Sequence, residues 1–274
     1  MDNLTQLFSP SCWVPGKSRD EVMNEFFSGI QNAYEELKND STVEREEDVP
    51  YGQEDSQKVD VWGEVKDKLL IFLHGGYWAE GTRKDCLTPA KCVLSNDFAF
   101  ASVGYRLAVN GITLTETVED AVKGVDFVLQ KYPNVTTVIL GGHSAGAHLA
   151  FHAATKLRNP RIRSLIVYSG CFFLKELVPT EIGRDINLTE EQAELNNCNP
   201  ADLEKLNLKM LFILGNAEAP KLIEQNLLMM TEVENPEDVE LVEVSSSSHY
   251  TIMTNMMDAT SDENIGVSKF LQSF

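Results

Sequence analysis

The sequence predicts an α/β fold with a mostly parallel central sheet that is covered by helices on both faces. Apolar runs typical of buried strands alternate with segments of helical periodicity, which is the pattern of parallel α/β proteins. The strand-like runs are residues 69–73, 98–105, 135–140, 163–169, 208–214 and 239–244. A chain of 274 residues, 43% of them hydrophobic, is long enough for one such domain with a full core.

The remaining elements follow from local signals. A capping box from Ser18 to Glu21 begins an amphipathic helix, which we expect to pack on the sheet or beside a pocket. Residues 39–57 are polar and predict a surface loop, and residues 59–65 alternate like an antiparallel edge strand. Thr113 begins a second amphipathic helix, and residues 262–274 form a terminal helix. These helices supply the apolar faces that cover the sheet.

The motif Gly142-His143-Ser144-Ala145-Gly146 lies between the strand of residues 135–140 and a helical segment rich in Ala and Leu. G-x-S-x-G between a strand and a helix is the nucleophile elbow of the α/β-hydrolases. The turn forces the serine into a strained backbone conformation, and the two glycines remove Cβ atoms that would collide with strand and helix. The motif therefore predicts an α/β-hydrolase fold with Ser144 as nucleophile.

A second motif, His74-Gly75-Gly76, directly follows the strand of residues 69–73. Attack on a carbonyl places negative charge on oxygen, and this charge needs donors that are already aimed at it. In this fold the donors are the N–H of the residue after the nucleophile, here Ala145, and N–H groups of an HGG-type loop. We predict that these residues form the oxyanion hole.

Tyr77 and Trp78 come next and complete an HGGxW pattern. An aromatic pair beside the oxyanion loop can pack against an aromatic substrate, so we expect both side chains to frame its acyl or aryl end. The alternative is that they pack in the core behind the sheet.

Among the five histidines, His249 is the candidate general base. His74 and His143 belong to the two turn motifs, and His148 and His152 lie one turn apart on the elbow helix. An i, i+4 pair can ligate a metal, but no carboxylate or cysteine cluster accompanies it in the sequence, which favours packing on a helix face and predicts no metal. His249 follows the last strand, where the base of this fold belongs.

Glu218 is the candidate acid, because it is the sole carboxylate in residues 215–220, the loop after the predicted strand of residues 208–214. Its task is to hold the imidazole in one tautomer and to stabilise the imidazolium. Asp238 and Glu224 are the nearest rivals.

Residues 171–199 interrupt the alternation of strands and helices with aromatic, acidic and asparagine residues. Such an insertion usually covers the active site and selects substrate. We therefore predict a single domain, residues 1–274, with residues 171–199 as a cap.

Composition limits the partners. The formal charge is 23 − 42 = −19, which disfavours nucleic acid and anionic membranes as partners. No apolar run approaches the roughly 18 residues of a membrane span, and the N-terminus lacks the features of a secretory signal. Five irregularly spaced cysteines indicate free thiols in a reducing compartment. We expect a cytoplasmic enzyme that acts on a small molecule, with a homodimer left open.

Together the motifs make the chain similar to the animal-type kynurenine formamidases, or arylformamidases. The resemblance rests on residues 74–78 and 142–149, and it extends from about residue 51 to the C-terminus. It implies hydrolysis of N-formyl-L-kynurenine to L-kynurenine and formate without a metal or organic cofactor. The family carries aspartate where Glu218 stands, and a Gly-x-Asp-His-Phe context where this chain has three serines before His249.

The sequence leaves two other functions open. One is a carboxylesterase of the HGG-bearing kind that acts on unrelated acyl esters. The other is a non-catalytic member that uses the pocket for binding.

Overall fold

The computed structural model describes residues 1–203, 206–233 and 238–274. In this part of the chain a sheet of eight strands has the order β1-β2-β4-β3-β5-β6-β7-β8. The strands are β1 Arg45–Pro50, β2 Lys58–Trp62, β3 Lys68–Leu73, β4 Ala99–Val103, β5 Thr137–His143, β6 Ile162–Tyr168, β7 Lys209–Ala217 and β8 Val239–Ser248. β2 is antiparallel to β1 and β4, and all pairs from β4 to β8 are parallel. The predicted α/β-hydrolase fold is confirmed.

Helices cover both faces of this sheet. They are α1 Asn3–Leu7, α2 Arg19–Asn39, α3 Ala90–Leu94, α4 Leu114–Lys131, α5 Ala145–Leu157, α6 Glu181–Asp185, α7 Glu190–Leu195, α8 Pro220–Glu232, α9 Thr251–Thr254 and α10 Asp262–Leu271. Because side chains alternate along a strand, Leu69 and Ile71 of β3 join a core with α4 and α5. Leu70 and Phe72 join a second core with α3 and α10.

The amphipathic helices begin where the capping signals predict. Ser18 Oγ accepts from the N–H of Glu21, and the Glu21 carboxylate accepts from the N–H of Ser18, which begins α2. Thr113 and Glu116 make the same reciprocal pair at the start of α4. Each pair satisfies N–H groups that a helix start leaves without intrahelical partners.

The prediction of a surface loop over residues 39–57 is wrong in part, since β1 lies within this range. β1 pairs with β2 through an irregular register, so β2 is not the edge strand that its alternation predicts. The side chains of β1 are exposed or half-buried, and an edge strand that faces water on both sides carries no apolar signal.

Parallel register brings the carboxyl ends of the strands together. Leu73 of β3 lies opposite Gly142 of β5, so the segments that follow them, the HGG loop and the elbow, lie side by side. Ala217 of β7 lies opposite Ser248 of β8, which makes Glu218 and His249 neighbours. The carboxyl edge of a parallel sheet is where ligands bind in α/β proteins. No helix of the described residues is long and apolar enough to cross a membrane.

Candidate active site

A pocket opens at this carboxyl edge and occupies about 770 Å³, its solvent-open mouth included. Ser144 and His249 lie on its wall together with Gly75 and Gly76 of the HGG loop. Tyr77 also lines it, whereas Ala145 is fully buried behind Ser144. The two sequence motifs and the candidate base therefore meet in one cavity.

The elbow has the strained geometry that its sequence predicts. Ser144 has φ 55° and ψ −120°, and its N–H donates to the carbonyl of Tyr168 at 2.8 Å. A Cβ on Gly142 would lie 2.2 Å from the backbone of Gly146, and one on Gly146 would lie 2.0 Å from the carbonyl oxygen of Leu73. Both glycines are required because the turn presses its backbone against strand and helix.

Glu218 and His249 form a buried pair, with 2.6 Å between Oε2 of Glu218 and Nδ1 of His249. Oε2 also accepts from the hydroxyl of Ser169 at 2.6 Å, and Oε1 accepts from the N–H of Ala219 at 2.6 Å. Since a carboxylate only accepts, this contact fixes the proton on Nδ1 of His249 and leaves Nε2 for the pocket side. The arrangement suits a base that is oriented by an acid.

The two rival acids lie elsewhere. Glu224 is an exposed residue of α8 whose carboxylate pairs with Lys221 at 2.9 Å. Asp238 precedes β8 at the end opposite His249, and a ten-residue strand spans on the order of 30 Å. Glu218 is the carboxylate in contact with the imidazole.

The HGG loop lies against the nucleophile. A Cβ on Gly75 would approach the Cβ of Ser144 to 3.2 Å, so only glycine lets this backbone come so close. Within the described residues, the N–H groups of Gly75 and Gly76 have no acceptor. The N–H of Ala145, at the first position of α5, has no intrahelical acceptor either. Three N–H donors are thus available near Ser144.

His74 supports this loop from below. Its ring stacks on Tyr105, with 4.2 Å between centroids and 9° between planes, and the Tyr105 hydroxyl donates to the His74 carbonyl at 2.7 Å. Burial lowers the pKa of His74 to about 4, so the imidazole is neutral at physiological pH. Nδ1 of His74 also lies 2.8 Å from the carbonyl oxygen of Gly75, so His74 holds the backbone of the loop by packing and by this hydrogen bond.

Tyr77 and Trp78 both have a left-handed backbone conformation, with φ 47° and 58°. Their side chains point in different directions. The Tyr77 ring lines the pocket, and its hydroxyl donates to the carbonyl of Phe8. Trp78 is fully buried and packs edge-on to His148, with 4.9 Å between ring centroids. The prediction that Trp78 contacts substrate is wrong, because the turn directs its indole into the core.

The prediction that residues 171–199 cover the site is also wrong, because none of them lines the described pocket. They pack against α4 and α5 instead, as in the hydrogen bond from Thr115 to Gln192 at 2.9 Å. Part of the pocket wall comes instead from the N-terminal region, from Pro10 and one face of α2 that includes Phe26. Phe26 packs edge-on to Tyr250, with 5.1 Å between ring centroids.

His143, the second residue of the elbow motif, has a structural contact that its sequence position does not reveal. Its Nε2 donates to the carbonyl of His249 at 2.9 Å, and the two rings lie 4.4 Å apart. Burial, and then the proximity of His249, lower the pKa of His143 well below its usual range, so it is a neutral donor. His143 ties the loop of the candidate base to the elbow.

His148 and His152 meet the segment after α7. Both Nε2 atoms donate to the carbonyl of Asn196, at 2.7 and 3.0 Å, and the Sγ of Cys198 lies 3.8 Å from Nε2 of His152. The two histidines and Cys198 thus form a group with metal-ligand chemistry, its atoms within 4.8 Å of one another. Sequence inspection missed Cys198 because it is 46 residues from His152. A metal ion would have to displace both hydrogen bonds to Asn196.

Fold and site together define an α/β-hydrolase. The BD-FAE family model matches residues 62–245, and the chain belongs to this family. It is 27% identical to the kynurenine formamidase of Danio rerio over 98% of this chain and 94% of that protein, which confirms the expected resemblance.

Solved structures agree on the fold. A proposed thioesterase from Silicibacter sp. tm1040 has a TM-score of 0.79 at 19% identity. This match covers 98% of this chain and 100% of the thioesterase chain. An esterase of the bacterial hormone-sensitive lipase family has a TM-score of 0.70 at 18% identity. This match covers 94% of this chain and 99% of the esterase chain.

Proposed function

We propose that this protein is a serine hydrolase that cleaves the N-formyl amide of N-formyl-L-kynurenine, releasing L-kynurenine and formate. The observation that carries the proposal is the contact of buried Glu218 with His249, which lies on the same pocket wall as Ser144 and the HGG loop. The similarity to a kynurenine formamidase over nearly the whole chain supports the choice of substrate.

In the first half of the reaction, Ser144 Oγ attacks the formyl carbon while Nε2 of His249 takes the hydroxyl proton. Glu218 stabilises the imidazolium through Nδ1. The carbonyl oxygen gains negative charge and accepts hydrogen bonds that the N–H groups of Gly75, Gly76 and Ala145 can donate without reorganisation. The C–N bond then breaks, His249 gives the proton to the aniline nitrogen, and L-kynurenine leaves.

The second half removes the formyl group from Ser144. A water molecule attacks the formyl ester and gives its proton to His249. The tetrahedral intermediate collapses, the Ser144–formyl bond breaks, and His249 returns the proton to Ser144 Oγ as formic acid leaves. Formic acid then loses its proton to solvent and becomes formate, so atoms and charge balance without a metal or organic cofactor.

The walls suit an aromatic formamide. Phe26, Tyr77 and Tyr250 present rings to the cavity, and an aminobenzoyl ring can pack against their edges and faces. The close approach of Gly75 to Ser144 leaves little room beside the nucleophile, which fits an acyl group as small as formyl.

Formate release from N-formyl-L-kynurenine by the wild type and by Ser144→Ala tests the proposal. The variant should lose activity by about a millionfold, as triad nucleophiles do in comparable hydrolases, while its circular dichroism is unchanged. Retention of more than about a hundredth of the wild-type rate would exclude Ser144 as the nucleophile.

A carboxylesterase is the second candidate, favoured by the esterase-like solved structures. It predicts a higher kcat/KM for p-nitrophenyl acetate than for N-formyl-L-kynurenine, whereas the formamidase proposal predicts the reverse. A non-catalytic binding protein would hydrolyse neither and would not react with a fluorophosphonate at Ser144.

A further inference from the structure

Among the described residues that line the pocket, two carry carboxylates, Glu80 and Asp85. Asp85 Oδ2 accepts from the N–H and hydroxyl of Thr82, at 2.7 and 3.0 Å, as part of a capping box. Glu80 is exposed at the pocket wall, and its carboxylate has neither a hydrogen bond nor an ion pair within residues 1–203, 206–233 and 238–274. An acidic group is therefore presented at the mouth without a protein partner.

A basic group lies on α2, the helix that forms part of the pocket wall. Met23, Phe26 and Ile30 of α2 line the pocket. Arg19 lies four residues before Met23, and residues at this spacing share one face of a helix. Arg19 is exposed, and among the described residues its guanidinium has no ion pair or hydrogen bond.

Tyr250 connects the two groups, because it lines the pocket with Glu80 and its ring packs against Phe26 of α2, with 5.1 Å between ring centroids. Phe26 lies on the same helix face as Met23 and Arg19, so this face of α2 lies beside Tyr250. Burial raises the pKa of Tyr250 to about 12; among the smaller influences, Arg19 lowers this pKa and Glu80 raises it. An apolar cavity with one unpaired acid and one unpaired base at its mouth is complementary to an aromatic molecule with a zwitterionic end.

We propose that Glu80 and Arg19 form a subsite for the α-amino acid end of the substrate, with Glu80 binding the ammonium and Arg19 the carboxylate. This inference rests on the proposed function, because the formyl amide must lie at Ser144 while the zwitterion is at the mouth. A carboxylate matches the two-donor geometry of a guanidinium, and an ammonium matches a carboxylate that has no other donor. The subsite orients the substrate before attack.

The test compares four substrates in Glu80→Gln and Arg19→Gln. They are N-formyl-L-kynurenine, its Nα-acetyl derivative without an ammonium, its carboxamide without a carboxylate, and formanilide with neither. Glu80→Gln should raise KM for N-formyl-L-kynurenine about fivefold more than for the Nα-acetyl derivative. Arg19→Gln should raise the KM for N-formyl-L-kynurenine about fivefold more than the KM for the carboxamide. These factors are typical of charged hydrogen bonds at exposed sites.

Two variants control for net charge. Glu119→Gln changes an exposed residue of α4, and Arg163→Gln changes an exposed residue at the amino end of β6, away from the pocket edge. Neither should change the KM ratios. In 1 M NaCl the fivefold differences should shrink, because salt screens exposed charges.

The outcomes separate the subsite from the proposed function. Wild-type protein that releases formate from N-formyl-L-kynurenine, with variants that raise KM equally for all four substrates or for none, overturns the subsite alone. Wild-type protein that hydrolyses p-nitrophenyl acetate but releases no formate from N-formyl-L-kynurenine overturns both.

Discussion

Ser169 Oγ lies 2.6 Å from Oε2 of Glu218, the same oxygen that contacts the imidazole of His249. Ser169 follows β6 directly, and its N–H donates to the carbonyl of Ile213 in β7 at 3.1 Å. The serine is therefore held by the sheet itself. A buried carboxylate that accepts from a hydroxyl, a backbone N–H and an imidazole is held in one orientation. Ser169 is a positioning residue for the candidate acid.

Ser169→Ala should lower kcat for formate release about tenfold and leave KM within twofold, because a charge-assisted hydrogen bond contributes about 1.5–3 kcal/mol and part of it orients Glu218. Steady-state kinetics checks this. Ser164→Ala is the matched control, since it removes a buried hydroxyl of β6 that has no partner among the described residues. Equal kinetics for the two variants would contradict a positioning role.

Glu218→Gln should lower kcat by roughly 10³–10⁴-fold, because an amide favours the wrong tautomer of His249. Glu218→Asp should also lower kcat, since all three donors around Glu218 are placed for the longer side chain. Glu224→Gln, on the exposed face of α8, is the control and should keep the wild-type rate. An aspartate variant as fast as the wild type would mean that the loop has retained the spacing of the family's aspartate.

Much of the site could be predicted because its residues follow strands. Ser144, Glu218 and His249 each come at the end of a strand in the parallel part of the sheet, and parallel register brings such positions to one edge. Ser169 also follows a strand, but a serine among many serines carries no signal of its own. Its role depends on the register of β6 with β7, which no local pattern reveals.

The cover of the pocket could not be predicted for a different reason. Residues 171–199 interrupt the sheet pattern as a cap does, but where an insertion packs depends on long-range contacts. Asn196 accepts from both His148 and His152, and these bonds hold the segment on α5. The capping box at Ser18 predicts where α2 begins. The apolar face of α2, however, is equally typical of a helix that packs in the core and of one that lines a pocket.

The substitution Trp78→Leu should destabilise the fold without changing selectivity. The indole is fully buried, and shortening it leaves a cavity that costs about 2–4 kcal/mol. Urea unfolding measures the loss, and kcat/KM should change by the same factor for N-formyl-L-kynurenine and p-nitrophenyl acetate.

Phe26→Leu is the contrasting change, because Phe26 lines the pocket beside Tyr250. Aromatic contacts of this kind contribute about 0.5–1.5 kcal/mol, so kcat/KM for the aromatic formamide should fall about threefold to tenfold more than for p-nitrophenyl acetate. An equal loss on both substrates would place the substrate ring elsewhere.

Stability should fall in mild acid because of buried histidines. Burial lowers the pKa of His152 from its ordinary value of 6.5 to about 4, so the unfolded chain binds a proton there that the folded chain does not. The contribution of His152 to the free energy of unfolding is fully present above pH 6.5 and is lost as pH falls toward 4. At pH 5 the loss from this one residue is about 2 kcal/mol. Urea unfolding at pH 8 and pH 5 measures the difference. In His152→Gln, which keeps an amide donor for Asn196, the drop between the two pH values should be smaller by about 2 kcal/mol. An unchanged drop would show that His152 is already protonated in the folded protein or does not titrate in this range.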